Sequence, residues 1–152
     1  MDEVKKILVP NSEILGEVSR LLDEGRLVTI STKGASMMPF IHTDVDSVTL
    51  KKFPDAMVGD IALAYLPSKR YVLHRIIRIE GDNVTLKGDG NLYGTEECTV
   101  QDIRGTVVKI IRPSGKEIEV LSHGFGRISR FWRGLPAIVR RVFLAIYRRI
   151  IL

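Results

Sequence analysis

Apolar and polar residues alternate along several short stretches between residues 26 and 121. Alternation with a period of two predicts strands, because successive side chains of a strand point to opposite faces of a sheet. Residues typical of turns, mainly Gly, Pro, Asp, Asn and Ser, separate these stretches. The predicted strands cover residues 26–33, 45–52, 60–66, 71–80, 84–87, 103–112 and 117–121. Many short strands joined by tight turns predict a mainly β fold with a coiled, barrel-like sheet.

Residues 11–25 show the spacing of an amphipathic helix instead. Asn11 or Ser12 can cap the first turn of this helix, and Gly25 suits its C-terminal stop. The apolar residues of one face are Ile14, Leu15, Val18, Leu21 and Leu22. We expect this N-terminal helix to cover the sheet with its apolar face.

The C-terminal part of the chain has a different pattern. Residues 122–126 are predicted to form a linker, and Pro136 fits the first turn of a final helix. The apolar positions of that helix are Val139, Val142, Phe143, Ile146, Tyr147 and Ile150, and the arginines on the opposite side are Arg140, Arg141, Arg148 and Arg149. The chain is therefore predicted to comprise a β domain at residues 1–121 and a basic, amphipathic helical tail at residues 122–152.

Charge is unevenly distributed along the sequence. The chain of 152 residues has a formal net charge of +5, but the part after Glu119 contains seven arginines and no acid. Arginines opposite bulky apolar side chains are typical of a helix that lies on an anionic membrane surface. A helix that packs on its own domain or on a partner subunit shows the same pattern, so both interpretations of residues 136–152 stay open.

Composition excludes several classes of site and partner. A hydrophobic content of 45% and a charged content of 27% are typical of a globular protein. The single Cys98 excludes an internal disulfide, and the three histidines are too far apart in sequence for a zinc motif, so no metal or cofactor is expected. No helix-turn-helix precedes the β domain, so we expect no nucleic-acid partner.

The sequence also lacks an uncharged run that could span a bilayer, and the apolar run near its start is too short for a secretory signal. We therefore expect a cytoplasmic protein, or one that is peripheral to the inner face of the membrane.

Residues 33–41, with the sequence KGASMMPFI, present one serine on a bent segment. Gly34 can adopt backbone angles that other residues avoid, and Pro39 has no N–H and biases Met38 towards extended geometry. Ser36 is a weak nucleophile by itself and needs a base within hydrogen-bonding distance.

The candidate base is His74, which lies on the predicted strand at residues 71–80. Alternation places His74 on the same face as Val72 and Ile76, which is expected to be the buried face. A partly buried, neutral imidazole with an orienting partner suits the role of a general base.

Three motifs follow one another in this sequence: GASMMP at residues 34–39, LHRI at residues 73–76 and KGDGN at residues 87–91. Together they resemble the type I signal peptidase superfamily of serine peptidases, which also includes self-cleaving repressor proteases. Its signature is G-x-S-M-x-P, then a strand that carries the base, then a G-D-x-N loop. Bacterial signal peptidases and the repressors have lysine as the base, whereas archaeal and endoplasmic-reticulum enzymes have histidine before Arg-(Ile/Val). The chain is similar to the histidine type over roughly residues 27–112.

The resemblance implies a role for each motif. Ser36 would be the nucleophile and His74 the general base. The oxyanion hole would come from the backbone N–H of Ser36 and a neighbour near Gly34. The residues expected to contact the substrate are Gly34, Met37, Met38 and Pro39. Core packing is an alternative role for both methionines, and relatives accept small side chains beside the scissile bond.

The third member of a catalytic triad is left open. Enzymes of the histidine type have an aspartate a few residues after the G-D-x-N loop, and that position falls at Gly94 or Thr95 in this chain. Asp89 within the motif would be a structural or orienting acid, and Glu96 is the candidate replacement. A dyad without an acid is also open, because loss of the orienting carboxylate lowers the rate without abolishing catalysis.

We therefore predict a serine endopeptidase that cleaves a peptide or protein precursor through a Ser–His dyad or triad. The substrate is expected to bind as an added strand along an open edge of the sheet. One alternative is a self-cleaving regulator, which the histidine base and the missing DNA-binding domain disfavour. The other is a catalytically inactive protein of the same fold that binds a peptide or docks on a membrane.

Overall fold

The computed structural model describes residues 4–7, 12–42, 44–120 and 123–151. The strands within these residues are β1 (Val4–Ile7), β2 (Leu27–Ser31), β3 (Ser47–Lys51), β4 (Ile61–Tyr65), β5 (Tyr71–Glu80), β6 (Asn83–Lys87), β7 (Glu96–Thr99), β8 (Ile103–Ile111) and β9 (Glu117–Glu119). The helices are α1 (Ser12–Asp23), α2 (His123–Gly134) and α3 (Ala137–Ile151), with a 3-10 turn at Val100–Asp102. The prediction of a mainly β fold with an N-terminal helix and C-terminal helical structure is confirmed.

The strands that the structure describes belong to one sheet. Its order is β1, β2, β3, β8, β4, β5, β6 and β7, and β9 pairs with β8 outside this path. β1 runs parallel to β2, and the other pairings are antiparallel. β8 changes partners along its length, since its first half pairs with β3 and β4 and its second half with β3 and β9.

The larger apolar cluster lies between α1 and the sheet. Val18, Leu21 and Leu22 of α1 are buried in it together with side chains of β2, β3, β4 and β8. Gly25 follows the helix with a φ of 81°, in the left-handed region that glycine adopts without strain. The predicted role of Gly25 as the helix stop is therefore confirmed, whereas the candidate cap Asn11 lies outside the described residues.

The segment after the sheet is helical, so the linker prediction for residues 122–126 is wrong over residues 123–126. Residue 122 lies outside the part of the chain that the structure describes. Helix propensity is a weak guide that tertiary packing overrides, and α2 buries Trp132 against the β domain. The predicted strands also omit β1 and β7, each of which has only four residues.

Both C-terminal helices pack beneath the segment that contains Ser36. Trp132 of α2 and Leu144 of α3 form a buried cluster with Met38 and Phe40. The rings of Trp132 and Phe40 meet edge to face, with 6.5 Å between their centroids.

Most apolar residues of α3 nevertheless remain exposed. They are Ile138, Val139, Val142, Phe143, Ile146 and Ile150. The side of α3 that contacts the domain carries Leu144 and Tyr147, and the intervals of four and seven residues place Arg140 on that same side. Arg140 is buried for this reason, which departs from the predicted polar face of four arginines.

None of the helices in the described ranges is long and apolar enough to cross a bilayer.

A hydrogen bond of 2.6 Å joins Tyr147 Oη of α3 to His42 Nε2. The backbone N–H of His42 donates to Asp46 Oδ2 at 2.6 Å, and Arg112 forms an ion pair with the same carboxylate. Burial and, after it, the positive charge of Arg112 lower the pKa of His42. Neutral His42 is therefore the form that this cluster stabilises.

The lowered pKa of His42 makes the stability of the fold depend on pH. The ordinary value is about 6.5, so the unfolded chain binds a proton before the folded protein does. The contribution of neutral His42 is complete above about pH 6.5 and is lost as the pH falls through the folded-state pKa. We expect the free energy of unfolding to fall less between about pH 7.5 and about pH 5 in His42→Gln than in the parent protein.

Urea unfolding followed by circular dichroism measures this difference. Tyr147→Phe is the control, since it removes the hydrogen bond but keeps the imidazole, and it should retain the pH slope of the parent protein. An unchanged slope in His42→Gln would show that His42 is not responsible.

Candidate active site

The serine turn, defined here as residues 33–41, connects β2 to β3. Gly34 has a φ of 78°, in the left-handed region, so its predicted use of backbone angles that favour glycine is confirmed. The Met38–Pro39 peptide bond is cis. Ser36 is half-buried within this turn. A backbone hydrogen bond of 3.2 Å, from the N–H of Met38 to the carbonyl of Ala35, closes the turn around it.

The glycine loop, defined here as residues 88–91, packs directly against the backbone of the serine turn. Gly90 donates its N–H to the carbonyl oxygen of Ser36 at 2.7 Å. A Cβ on Gly88 would lie 2.4 Å from that oxygen, and one on Gly90 would lie 2.7 Å from the carbonyl oxygen of Ala35. Any side chain at either position would push the serine turn away, so the glycines are needed for this close contact.

Asp89, in the same loop, forms a buried ion pair with Arg75. Arg75 Nε donates to Asp89 Oδ1 at 2.8 Å and Nη2 donates to Oδ2 at 2.5 Å, and the two side chains are only 2% and 1% exposed. The carbonyl oxygen of Asp89 accepts a hydrogen bond of 3.0 Å from the indole N–H of Trp132. Of the two roles open to Asp89, these contacts favour the structural one.

Arg75, which the sequence motifs do not single out, anchors the glycine loop through this ion pair. Its place directly after His74 is the available signal, because neighbours on a strand point to opposite faces and can serve two different sites.

His74 has a different carboxylate partner. Its Nδ1 lies 2.8 Å from Glu96 Oε2, and the histidine is 6% exposed. An ionised carboxylate can only accept, so this bond places a proton on Nδ1, and in the neutral imidazole Nε2 is then the acceptor. The other oxygen of Glu96, Oε1, lies 3.6 Å from Arg70 Nη2. The carboxylate in contact with His74 is thus that of Glu96, the first residue of β7.

Ser36, His74 and Glu96 line one cleft of about 420 Å³. β2 and β5 are separated by three strands in the sheet order, yet residues from the ends of both strands form its walls. No hydrogen bond between Ser36 Oγ and His74 is present in the described part of the chain. Catalytic hydrogen bonds are often long without substrate and shorten in the reacting complex.

Of the four residues predicted to contact the substrate, two line the cleft and two do not. Gly34 and Met37 line the cleft, although only 4% of Met37 is exposed. Met38 lies beneath the turn in the cluster with Trp132, and Pro39 is half-buried outside the residues that line the cleft in the described structure.

Two backbone N–H groups near Ser36 differ in their hydrogen bonding. The N–H of Gly34 is directed to Asp44 Oδ1 at 3.3 Å, whereas the N–H of Ser36 has no hydrogen-bond partner among the residues described. An N–H without a partner beside a serine is what an oxyanion hole would require if that serine were a nucleophile.

The thiol of Cys98, another potential nucleophile, does not belong to this cleft. Burial raises the pKa of the Cys98 thiol to about 11, so it stays protonated, and the residue belongs to a separate apolar cluster. Within the described ranges, no group of three or more His, Cys, Asp or Glu side chains is placed to hold a metal ion.

No protein-family model and no curated protein matches the sequence. The resemblance to signal peptidases therefore rests on the three motifs alone and stays a prediction.

Removing one partner of the Arg75–Asp89 pair should destabilise the fold strongly. Asp89→Ala would leave a buried guanidinium without its counter-charge, and we expect a loss of about 3–5 kcal/mol in the free energy of unfolding. Asp55→Ala, at an exposed position, is the control and should change it by less than about 0.5 kcal/mol. Urea denaturation measures both.

The double variant Arg75→Met with Asp89→Leu tests the cause. It removes both charges together, so it should be more stable than Asp89→Ala alone. A double variant that is no more stable than the single one would attribute the loss to packing.

Proposed function

We propose that this protein is a serine endopeptidase in which Ser36 is the nucleophile and His74 the general base. The observation that carries the proposal is the shared cleft of Ser36 and His74, in which Glu96 fixes the imidazole through Nδ1. This arrangement leaves Nε2 as the proton acceptor that a serine nucleophile needs. The ordered motifs of the signal peptidase I-like superfamily support the same roles, and they favour the signal-peptidase-type barrel as the finer description of the fold.

The reaction would follow the serine acylation route. His74 Nε2 takes the hydroxyl proton as Ser36 Oγ bonds to the carbonyl carbon of the peptide, and the N–H of Ser36 donates to the oxyanion. His74 then gives the proton to the departing amine as the C–N bond breaks. Water, deprotonated by His74, releases the acyl group from Ser36, and the proton returns to Oγ. Glu96 stabilises the imidazolium in both steps.

The sheet offers a place for an extended substrate next to His74. Residues 71–74 pair with β4, but the pairing of β5 with β6 begins at Arg75. The second edge of residues 71–74 is thus unpaired in the described part of the sheet, and these residues line the cleft. A peptide that added to this edge would present a carbonyl to the cleft of Ser36. Ile30, Met37 and Leu63 on the cleft wall favour an apolar residue near the scissile bond.

Cleavage of a peptide library, read by mass spectrometry, tests the proposal. Ser36→Ala and His74→Ala should each lower kcat by about 10⁴-fold or more, and Glu96→Gln by about 10²- to 10⁴-fold. Ser68→Ala changes an exposed serine in the turn between β4 and β5 and should leave activity unchanged. Circular dichroism would verify that each variant is folded.

Two outcomes would contradict the roles assigned. Full activity in folded Ser36→Ala or His74→Ala would show that this residue takes no part in the reaction. Full activity in Glu96→Gln would leave a dyad without an orienting acid.

A shortened chain on a gel, absent in Ser36→Ala, would identify the self-cleaving regulator.

A peptide-binding protein without catalysis is the second candidate. The observation that favours it is the absence, within the described residues, of a hydrogen bond between Ser36 and His74. In that case peptides would bind the cleft uncleaved, and Ser36→Ala would bind them as well as the parent protein.

We also propose that α2 and α3 hold the protein on an anionic membrane surface. Ile128 and Phe131 of α2 are exposed in addition to the apolar residues of α3, and a contiguous exposed apolar surface is typical of an interaction site. Val142, Phe143 and Ile146 contribute to an exclusively apolar groove of about 390 Å³. Exposed arginines flank this surface: Arg127, Arg130, Arg141, Arg148 and Arg149.

Charge favours lipid over a second copy of the chain as the occupant. The part of the sequence after Glu119 has seven arginines and no acid, so two copies that met through this surface would repel each other. Anionic lipids of a cytoplasmic leaflet match both the arginines and the apolar side chains. The inner face of the membrane is therefore the proposed location of the protein.

Flotation with vesicles tests this location. We expect binding to vesicles that contain phosphatidylglycerol and little binding to phosphatidylcholine alone. The pair Val142→Glu and Ile146→Glu should abolish binding, and Arg148→Gln should weaken it about fivefold, from about 1 kcal/mol per charge. Met57→Glu, on an exposed apolar residue outside these helices, is the control.

Binding that the Val142→Glu and Ile146→Glu pair does not change would contradict the membrane proposal. A dimer in sedimentation experiments that the same pair dissociates would make a second copy the occupant instead.

A further inference from the structure

A second cavity, of about 280 Å³, lies where α2 and α3 meet the end of β6 and the glycine loop. Its walls are Ile77, Lys87, Gly88, Asp89, Arg133 and Arg140. Three of the four charged residues are cations. This cavity is separate from the cleft of Ser36 and is not used in the proposed peptidase reaction.

Arg140 is the unusual member of the cavity. Its side chain is buried, with 9% of the residue exposed, and Nε has no hydrogen-bond partner. No hydrogen bond or ion pair of its guanidinium is found among the described residues. A buried guanidinium without an acceptor or a counter-charge is costly, and proteins normally pair such groups.

The other two cations are also without a carboxylate partner in the described structure. Arg133 Nε donates to the carbonyl of Ser129 at 3.3 Å, and Lys87 Nζ donates to the carbonyl of Leu92 at 3.2 Å. Both bonds leave further N–H donors for a ligand. Burial and then the charge of Arg75 lower the pKa of Arg133, and the opposing effect of the Asp89 charge is smaller.

The one acid of the cavity, Asp89, compensates only part of this positive charge. Both carboxylate oxygens of Asp89 accept hydrogen bonds from Arg75, which neutralises them. The cavity therefore combines three cations with no uncommitted acceptor side chain among its walls.

We propose that this cavity binds a phosphate group. Two guanidinium groups can each donate in pairs to phosphate oxygens, and the lysine adds a point charge. Since one water molecule takes up about 30 Å³, the cavity has room for a phosphate and part of its ester substituent. A free phosphate ester and the head group of an anionic phospholipid share this chemistry.

An anion here would join three parts of the molecule. Arg133 comes from α2, Arg140 from α3 and Lys87 from the end of β6, directly before the glycine loop. Binding would therefore hold the two helices against the loop that contacts Ser36. The proposal does not depend on peptidase activity, because its test measures ligand binding.

Thermal unfolding of the full chain in inorganic phosphate, against sodium chloride of equal ionic strength, tests the site. We expect a saturable rise in Tm that is specific to phosphate. Arg140→Gln should raise the apparent Kd at least about tenfold, and Arg133→Gln should also weaken binding. Arg141→Gln removes the same charge from the exposed neighbouring position and should change Kd less than about twofold.

A second variant separates a ligand site from a structural arginine. Arg140→Met removes the unpaired charge at similar volume, so its Tm without phosphate should equal or exceed that of the parent protein. A fall of more than about 4 °C would mean that Arg140 has a structural role, and it would overturn the proposal. A Tm rise that is no larger in phosphate than in chloride, or that is unchanged in Arg140→Gln, would overturn it as well.

Two further ligands distinguish the sources of the phosphate. If glycerol 3-phosphate protects as well as dihexanoyl phosphatidic acid, a soluble ester is the natural ligand class. If the short-chain lipid protects at a concentration at least about tenfold lower, the site takes a phospholipid head group. Either result, when lost in Arg140→Gln, supports the site.

Discussion

The buried ion pair between Arg75 and Asp89 connects the parts on which the candidate site depends. Arg75 belongs to β5, directly after His74, and Asp89 belongs to the loop whose Gly90 bonds to the carbonyl of Ser36. One pair of side chains therefore connects the strand of His74 to the loop that holds the turn of Ser36. Alternation along β5 makes this possible, because it turns His74 to the cleft and Arg75 to the opposite side.

The C-terminal helices extend the same scaffold. Trp132 donates to the carbonyl of Asp89 and covers Met38 and Phe40, so the glycine loop and the serine turn rest on one aromatic side chain. Tyr147 adds a bond to His42 at the far end of the turn. The outer side of the same helices exposes apolar residues and arginines. Contact with a membrane and support of the site would thus be two sides of one pair of helices.

The sequence predicts some of this arrangement well and other parts poorly, for identifiable reasons. The strand at residues 71–80 is observed with the same bounds, since it is rich in β-branched and aromatic residues and lies between two segments of turn residues. The role of Glu96 stays open from sequence alone, because the strand that presents it has four residues and little apolar character. The ion pair of Arg75 spans 14 residues, and the antiparallel pairing of β5 with β6 brings its members together by placing Arg75 opposite Lys87. This register depends on an irregularity between Ile76 and Arg78 that the sequence does not indicate. For α2, glycines near the start lower the helix propensity, so the sequence does not predict a helix there, although the burial of Trp132 stabilises one.

Trp132 has one more consequence. It is the single tryptophan of the sequence, it lies 5.2 Å from the ring of Phe143 between centroids, and its indole is bonded to the backbone of Asp89. Its emission spectrum therefore comes from one defined place, where α2, α3 and the glycine loop meet. The molecule carries its own optical reporter for any event that loosens or tightens this junction, and no label has to be introduced to follow it.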